Sequence, residues 1–316
     1  DLTRAEAIAD IVNASSEKAL RVAQEQLHGS LGGVIDALIE QVTGLLAEIE
    51  AGIDFPDENL SLEERESLVA KASDAARQCE ELARSFGVGR VLRDGIDVVL
   101  RGPVNVGKSS LFNSLVGHDR AIVAAEAGTT RDYVEAKVVW DGLAVTLVDT
   151  AGMRSAESEV EDRGIEMGTT RAAQADLELM IYSATDKSAR EDLSQRQIAV
   201  ISKCDLEQSS QAEGIHTSSK SGMGLSELKQ EILRRATGGV SESAEGCVVT
   251  NERQRTRLQS AAESLSAAAG LIQGSAPSEL VVVDLGAARQ SLAEITGEQV
   301  GDEMLDELFA RFCIGK

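Results

Sequence analysis

The clearest motif in this sequence is Gly102-Pro103-Val104-Asn105-Val106-Gly107-Lys108-Ser109. It satisfies the pattern GxxxxGK[ST], follows the apolar run Val98–Leu100 and leads into a helical stretch that starts at Ser109. In that context the backbone N–H groups of the loop and the N-terminus of the helix surround phosphate groups. The stretch therefore predicts a nucleotide-phosphate loop; the alternative is a glycine turn that arose by chance.

The polar groups of this loop have expected tasks. Lys108 should place a cation on the β and γ oxygens of a nucleoside triphosphate, and the Ser109 hydroxyl should bind Mg²⁺. Lys108 is also predicted to take part in catalysis. The predicted nucleotide contacts of the loop are Asn105, Val106, Gly107, Lys108, Ser109 and Ser110.

A second motif, Asp149-Thr150-Ala151-Gly152, follows the apolar strand Val145–Val148. A carboxylate at the carboxyl end of a strand holds Mg²⁺ through water, and a glycine N–H binds the γ-phosphate. We therefore expect Asp149 at the metal and Gly152 at the γ-phosphate. The alternative is an aspartate that caps a turn.

Between these motifs lies Gly128-Thr129-Thr130-Arg131-Asp132. A threonine from this region is expected to cover the γ-phosphate and to complete the Mg²⁺ shell. We assign that role to Thr130 in preference to Thr129, and count both as nucleotide contacts. The alternative is an ordinary polar loop.

The segment Ser202-Lys203-Cys204-Asp205 follows the apolar run Ile198–Ile201, at the place where many GTPases carry Asn-Lys-x-Asp. The Asp205 carboxylate accepts two hydrogen bonds from guanine, whereas adenine presents an acceptor there and is repelled. The Lys203 stem is expected to lie along the purine. The segment therefore predicts guanine recognition.

Ser202 departs from the usual pattern because it is shorter than asparagine. We expect it to be too short to span what an asparagine amide bridges, so that guanine selectivity is retained and affinity is weakened. Ser218, Ser219 and Lys220 are expected to close the base pocket, and the alternative is an ordinary loop.

The residue that orients the attacking water is not evident. Many such enzymes place Gln directly after Asp-x-x-Gly, but this chain has Met153, whose thioether is a poor hydrogen-bonding group. Glu159 and Glu161 are the nearby candidates, and the alternative is a solvated acidic turn. The residues alone do not decide among these.

The rest of the chain surrounds this α/β segment. Residues 3–52 read as two long helices that end at the turn Phe55-Pro56-Asp57, and a capping box of Ser61 and Glu64 starts a helix expected to end at Gly87. Strands then alternate with helices, which indicates a mainly parallel sheet. The predicted strands are Val98–Leu100, Val134–Trp140, Ala144–Val148, Leu179–Tyr182 and Ile198–Ile201, and the predicted helices are Ile165–Gln174 and Leu225–Arg235.

A linker is predicted at Gly238–Gly246. The fold class is therefore an α/β P-loop GTPase domain, with a mainly parallel sheet, inserted into an all-α helical domain whose halves pack together. Further helices are predicted at about 251–272, 277–296 and 301–312. The predicted domains are 1–92 (first helical half), 93–240 (GTPase domain) and 241–316 (second helical half).

Composition narrows the classes of protein. Aromatic residues make up 3% of the chain, so the cores must be aliphatic. The net charge of −22 opposes bulk attraction to nucleic acid, so any RNA contact is local or belongs to a partner. Scattered cysteines indicate free thiols, and there is no uninterrupted apolar run of ~18 residues or signal sequence. We expect a soluble, cytoplasmic protein, with an N-terminal portion missing because Asp1 already lies inside a helical pattern.

Taken together, the motifs resemble the MnmE (TrmE) family of tRNA modification GTPases over essentially the whole chain. The most specific segments are Ile53–Glu58, Gly128–Asp132, Asp149–Arg154, Ile295–Glu298 and Phe312–Lys316. The resemblance implies a folate-binding dimerisation domain, which we expect to be missing from this sequence, a helical domain and an inserted GTPase domain. It implies that formyl-tetrahydrofolate binds in the folate-binding domain and that Cys313 reaches toward it; the alternative for Cys313 is a packing residue at a helix end.

The resemblance also implies partners. Family members act with MnmG (GidA), which uses FAD and NADH, and install an aminomethyl-type group at carbon 5 of the wobble uridine of certain tRNAs. tRNA is thus bound through the complex, and GTP hydrolysis drives a conformational cycle needed for the reaction.

The resemblance implies that K⁺ compensates for the missing Gln. The family's GTPase domains form a face-to-face homodimer on GTP, and a K⁺ beside the phosphates stands where an arginine finger would. The resemblance makes Asn105 a catalytic K⁺ ligand whose carbonyl oxygen suits a hard cation, with the backbone of the Ala124–Thr129 loop around the ion. It also selects Glu161 as the residue that orients water through a bridging water.

Two other functions are weighed against this one. A ribosome-assembly GTPase of the Era/EngA type should carry a basic KH-like domain after the GTPase unit, whereas the helices there are acidic and only Asn251–Arg257 is locally basic. A nucleotide-gated scaffold with little turnover would agree with a weakened base site.

The short segment between Asp186 and Gln197 further predicts a trimmed loop or helix at the sheet edge.

Overall fold

The computed structural model describes residues 1–54, 62–117, 134–149, 175–185, 193–206, 213–238 and 247–298. The chain divides into two compact units. The helical unit contains Asp1–Ala14, Lys18–Arg93 and the segment from Glu245 on, and the α/β unit contains Ser15–Glu17 and Asp94–Ala244. The α/β unit is thus inserted between two parts of the helical unit, which is the predicted fold class. The finer domain boundaries stay a prediction.

The elements of the described residues are numbered in chain order. The helices are α1 (Leu2–Asn13), α2 (Glu17–Leu27), α3 (Ser30–Asp54), α4 (Leu62–Asp94), α5 (Lys108–Gly117), α6 (Leu225–Ala236), α7 (Glu252–Gln273) and α8 (Ser278–Thr296). The strands are β1 (Ile96–Arg101), β2 (Val134–Trp140), β3 (Leu143–Asp149), β4 (Leu177–Ser183), β5 (Gln197–Ser202) and β6 (Ile215–His216).

The N-terminal region forms three helices and not the predicted two. α1 ends at Asn13, and α2 ends just before Gly29, which has a φ of 91°. Glycine adopts this left-handed conformation without strain, so the chain turns there and α3 starts in a new direction. The prediction was wrong because the apolar spacing continues across both breaks.

α4 continues past Gly87, where the sequence analysis placed its end, as far as Asp94. Gly87 has nothing within 4 Å of the position that a Cβ would take. At Gly89, by contrast, a Cβ would lie 2.1 Å from the Val249 carbonyl oxygen, so the returning chain packs directly against the helix backbone. The left-handed glycine after the helix is Gly95, with a φ of 81°. The predicted end was therefore wrong, because the earlier glycines do not terminate the helix.

One aliphatic core joins the two halves of the helical unit, and this confirms that they pack together. It is formed by side chains of α3, α4, α7 and α8, and burial of each leucine contributes ~1.5–3 kcal/mol. The leucines of this core that are at most 2% exposed are Leu31, Leu38, Leu45, Leu68, Leu258, Leu265, Leu285 and Leu292.

Partly and fully buried hydrogen bonds hold the chain in place where it returns to the helical unit. The Val249 N–H donates to Ser85 Oγ of α4 at 3.0 Å. The Gln26 amide of α2 donates to the Val248 carbonyl at 3.1 Å and to the Thr250 hydroxyl oxygen at 3.0 Å. Because buried polar groups require partners, these contacts fix the returning segment in one position.

A buried ion pair then joins α1 to the start of α7. Glu6 Oε2 lies 3.0 Å from an Arg253 guanidinium nitrogen, and the same carboxylate accepts from the amides of Asn251 at 3.0 Å and Gln254 at 2.8 Å. Arg253 also donates to the Glu294 carbonyl in the last turn of α8, at 2.7 Å. A buried charge requires such a set of partners, so this cluster joins the middle of α1 to the start of α7 and the end of α8.

The α/β unit is built on a sheet with the order β2-β3-β1-β4-β5-β6. Its pairs are parallel except for β2 and β3, which form an antiparallel hairpin. The hairpin turns at Asp141 and Gly142, whose φ angles of 47° and 76° suit a primed two-residue turn. The mainly parallel sheet is confirmed, and the sequence analysis missed only the short edge strand β6 among these strands.

The register brings the motifs to one edge of the sheet. Leu100 of β1 lies beside Asp149, the last residue of β3, and Ser183 of β4 lies beside Ser202, the last residue of β5. Parallel α/β sheets bind ligands at the carboxyl ends of their strands. The candidate site is therefore expected at this edge.

α3 is long and apolar enough to cross a membrane by length and composition alone, with a mean hydropathy of 1.3 over its most apolar window. Core helices of water-soluble proteins have the same property. Leu31, Ile35 and Leu38 are fully buried in the helical core, so we assign α3 to that core.

Several predicted elements lie outside the described residues and stay predictions. They are the turn Phe55-Pro56-Asp57, the cap Ser61, the helix Ile165–Gln174, most of the short segment Asp186–Gln197, the linker beyond Gly238 and the helix at 301–312.

The packing of Gly89 predicts a stability difference within α4. Gly89→Ala should destabilise the helical unit by about 1–3 kcal/mol, because its methyl group would overlap the Val249 carbonyl. The matched control Gly87→Ala has open space around it and should be neutral or stabilising by up to about 1 kcal/mol. Urea denaturation followed by far-ultraviolet circular dichroism measures both. Equal stability of the two variants would contradict the close packing.

Glu231 in α6 predicts a pH dependence of the α/β unit. Hydrogen bonds from Arg234 and Arg235 lower the pKa of its carboxyl from 4.5 to about 2. A lowered native pKa contributes stability that is fully present above pH 4.5 and is lost as the pH falls toward 2. Glu231→Gln should therefore lower the Tm at neutral pH, and the difference from wild type should shrink steadily below pH 4.5. A difference that stays constant over that range would contradict the ion pairs.

Candidate functional site

The glycine loop between β1 and α5 approaches the sheet closely at its start. Gly102 has a φ of 146°, and a Cβ there would lie 2.3 Å from the Ile181 carbonyl oxygen of β4. Gly107 has a φ of 102°, and Asn105 has a φ of 64°, which asparagine tolerates better than most residues. The pattern GxxxxGK[ST] therefore corresponds to backbone positions that need glycine or tolerate asparagine.

Lys108 is the first residue of α5, and its side chain turns back over the loop. The residue is 8% exposed, and its ammonium donates to the carbonyl oxygens of Gly102 at 2.9 Å and Pro103 at 2.6 Å. The next residues, Ser109 and Ser110, lie exposed in the first helical turn, whose N–H groups lack helical partners. This end of the helix combines a lysine, hydroxyls and the backbone N–H groups of a helix N-terminus, a set that suits phosphate oxygens.

Asp149 ends β3 at the same edge and is 2% exposed. Together with the Ser109 hydroxyl it supplies hard oxygen donors, which are the kind that Mg²⁺ prefers. The phosphate loop begins next to this carboxylate, because Leu100, two residues before Gly102, pairs with Asp149. These described residues fit a Mg²⁺–nucleotide group.

On the base side the structure brings Asp205 and Ser218 together. The Ser218 hydroxyl donates to Asp205 Oδ1 at 2.7 Å, and this bond, with further help from Lys220, lowers the pKa of the Asp205 carboxyl. The segments that carry them are joined where the Thr217 N–H donates to the Ile201 carbonyl at 2.7 Å. Asp205 is thus held as an anion, ready to accept from donor groups of a base.

The turn that carries Ser218, Ser219 and Lys220 is closed by local bonds. The Gly222 N–H donates to the Ser218 carbonyl at 2.9 Å. At Gly224, whose φ is 72°, a Cβ would lie 1.9 Å from the His216 carbonyl oxygen. The sequence analysis missed Gly224, although a glycine two residues after Gly222 was a signal for a tight turn.

Lys203 and Ser202 connect the base side to the phosphate loop. The Lys203 ammonium donates to the Asn105 carbonyl, and the Ser202 hydroxyl donates to the Val106 carbonyl. The Ser202 hydroxyl reaches the loop although it is shorter than an asparagine amide, because the loop backbone lies close: a Cβ on Gly107 would lie 3.7 Å from Ser202 Oγ. The expected weakening of nucleotide affinity stays a prediction.

The other predicted site residues lie outside the described part of the chain. They are Thr129, Thr130, Gly152, Met153, Glu159, Glu161, the Ala124–Thr129 loop and Cys313. Their assigned roles stay predictions.

The described cysteines are free thiols. Burial raises the pKa of Cys79 to about 12 and that of Cys247 to about 11, and it also raises the pKa of Cys204. Within the described residues, no cluster of three or more His, Cys, Asp or Glu side chains could hold a metal on its own.

Comparison with known proteins gives a consistent result along the whole chain. The family model "MnmE helical domain" matches residues 2–313. The tRNA modification GTPase MnmE of Opitutus terrae is 38% identical over 331 residues, and that of Myxococcus xanthus is 39% identical over 322 residues. These matches cover 100% of this chain and 73% and 72% of the relatives, respectively.

Two solved structures illustrate the likeness to known folds. The G domain of the T. maritima FeoB iron transporter is 26% identical, with a TM-score of 0.33, and covers 45% of this chain and 98% of its own. Aquifex aeolicus Era bound to GDP and AlF4⁻ is 21% identical, with a TM-score of 0.34, and covers 54% and 66%.

The Asp205 carboxylate predicts a change of base preference on substitution. Asp205→Asn replaces an acceptor by an amide that matches xanthine, which presents a carbonyl where guanine has its amino group. Affinity for guanine nucleotides should fall about 10- to 100-fold, while affinity for xanthine nucleotides should rise. Competition against a fluorescent nucleotide analogue measures both.

A matched control is Asp141→Asn in the β2–β3 turn, which removes the same charge at a left-handed position that asparagine accepts. This variant should keep guanine preference. Unchanged base preference in Asp205→Asn would remove Asp205 from base recognition.

Proposed function

This chain belongs to the MnmE family of tRNA modification GTPases, and on that basis we propose that it hydrolyses GTP in a K⁺-stimulated cycle that serves modification of the wobble uridine of tRNA. Membership of this family makes the chain a GTP hydrolase that acts in tRNA modification. The observation that supports the proposal most directly is the meeting, at one sheet edge, of a lysine-bearing phosphate loop and an anionic Asp205.

The phosphate side does its work by positioning charge. In our proposal the Lys108 ammonium exchanges the Gly102 and Pro103 carbonyls for β and γ oxygens of GTP, and the first amides of α5 donate to the same phosphates. Ser109, Asp149 and Thr130 are the proposed Mg²⁺ ligands. Bound Mg²⁺ supplies neutralisation of charge on the phosphate oxygens.

The base side selects guanine. The Asp205 carboxylate accepts from the two donor groups on one edge of guanine, and the Ser218 hydroxyl keeps the carboxylate oriented. Ser219 and Lys220 close the pocket, and the Lys203 stem lies along the purine. The remaining proposed nucleotide contacts are Asn105, Val106, Gly107, Ser110, Thr129 and Gly152.

Asn105 is the proposed K⁺ ligand. Its backbone carbonyl already accepts from the Lys203 ammonium, so a second cation there would be repelled and the exposed side-chain amide oxygen is the better donor. The Ala124–Thr129 backbone is proposed to complete the site. An arginine finger supplies ~10³–10⁵ in rate, and a K⁺ in its place supplies the same kind of charge stabilisation. Glu161 is proposed to orient the water through a bridging water.

The wider reaction needs partners. We propose that the α/β units of two copies pair on GTP, and that the chain acts with MnmG (GidA) on tRNA in the cytoplasm to install an aminomethyl-type group. Formyl-tetrahydrofolate is proposed to bind a further domain of the full-length family, with Cys313 reaching toward it. The proposed domain boundaries are 1–92, 93–240 and 241–316.

Hydrolysis of GTP in K⁺ and in Na⁺ tests the function. The wild-type chain should prefer GTP to ATP and turn over faster in K⁺. Asn105→Gly should lose the K⁺ stimulation while keeping nucleotide affinity, because glycine accepts the φ of 64° and the backbone bond to Lys203 is preserved. Asn105→Ala should lose the same stimulation with some added backbone strain.

The control for both variants is Asn113→Ala, at an exposed position of α5, which should keep full K⁺ stimulation. Turnover that is equal in both salts for the wild type would refute the K⁺ role. Equal use of ATP and GTP would refute the GTPase assignment.

A further inference from the structure

Ser202 lies between two elements of the nucleotide site. It is the last residue of β5 and is 4% exposed. Its hydroxyl donates to the Val106 carbonyl of the phosphate loop, and the Tyr182 carbonyl of β4 lies 3.0 Å from the same oxygen. A hydroxyl has a single proton, and the two carbonyls compete for it. The Ser202 hydroxyl therefore has no proton left to donate to a nucleotide base.

The loop backbone also rests on this side chain. A Cβ on Gly107 would stand 3.7 Å from Ser202 Oγ and 3.7 Å from Lys203 Cε, which is ordinary van der Waals contact. Val106 itself is 4% exposed, so its carbonyl lies in a buried environment where an unpaired polar group is costly. The end of β5 therefore fixes two consecutive loop carbonyls, Val106 through Ser202 and Asn105 through Lys203.

We propose that Ser202 is a positioning residue that holds the phosphate loop through the Val106 carbonyl and sets the affinity for nucleotide phosphates, with no part in the choice of base. This inference rests on the proposed GTPase function. We assign the choice of base to Asp205, which follows Lys203 in the sequence and whose carboxylate accepts a hydrogen bond from Ser218.

The test separates phosphate binding from base binding with two probes, GDP and guanosine. Ser202→Ala removes the hydroxyl and leaves the Val106 carbonyl unpaired. Its Kd for GDP should rise about 3- to 10-fold, the effect of one hydrogen bond, while its Kd for guanosine should change less than about twofold. The preference for GTP over ATP should stay as in the wild type. Competition against a fluorescent GDP analogue gives each value.

Two further variants make the result specific. Ser202→Thr keeps the hydroxyl and should restore the Kd for GDP. Ser183→Ala is the matched control, because Ser183 is the neighbour of Ser202 in the β4–β5 register, is 7% exposed, and bonds to Thr185 at 2.8 Å and not to the loop. It should bind GDP as the wild type does.

The outcomes are distinct. Equal weakening for GDP and guanosine in Ser202→Ala, or a loss that Ser183→Ala reproduces, overturns the inference in favour of a general effect on the sheet. Wild-type affinity for GDP in Ser202→Ala also overturns it. A wild-type chain that binds neither probe overturns the proposed function itself, and a shift confined to GDP that Ser202→Thr reverses supports the inference.

Discussion

The close approach of the Gly102 backbone to the Ile181 carbonyl oxygen is the constraint on which the candidate site depends. Only glycine can stand there, because any Cβ would lie 2.3 Å from that oxygen, and so the loop leaves β1 pressed against β4. From that start the loop is held on its far side as well, where the carbonyls of Asn105 and Val106 accept from side chains at the end of β5. In a trans peptide the C=O and the following N–H point in opposite directions, so the next amides are turned away from β5. A loop fixed through its carbonyls is a loop whose donors are already directed before any phosphate arrives.

The sequence predicted this part of the molecule well because each motif is local and its chemistry is tied to backbone geometry. The phosphate loop needs glycine at set positions, and the buried strands need short apolar runs. Both can therefore be recognised from the amino-acid sequence alone. The fold class, the sheet and the joined helical halves follow from those patterns. The edge strand β6 was missed for the opposite reason: Ile215–His216 is too short to form a pattern and is a strand only because β5 lies beside it.

Distances between remote residues were beyond the sequence. Gly87 and Gly89 have the same helix propensity. Only the packing of Val249 shows that a glycine is needed at position 89, where a side chain would overlap the Val249 carbonyl. Ser202 was judged by the length of its side chain, whereas its reach depends on how near the loop backbone lies. Likewise Glu6 and Arg253 carry no motif, yet their ion pair joins α1 to the start of α7 and the end of α8. The roles of Thr130 and Glu161 in hydrolysis remain predictions, since both lie outside the described residues.

The packing of Val249 on Gly89 has a consequence for how such a two-unit chain arises. The chain leaves the helical unit through α4 and comes back against the same helix, so the polypeptide between these points begins and finishes at nearly one spot. Within the topology of the helical unit, the α/β unit is a long loop that connects two neighbouring points. The entropic cost of closing a loop grows only slowly with its length. A helical ancestor would therefore have tolerated acquiring an enzyme at this position with little disturbance, and a short flexible bridge in its place should leave the remaining helices able to assemble.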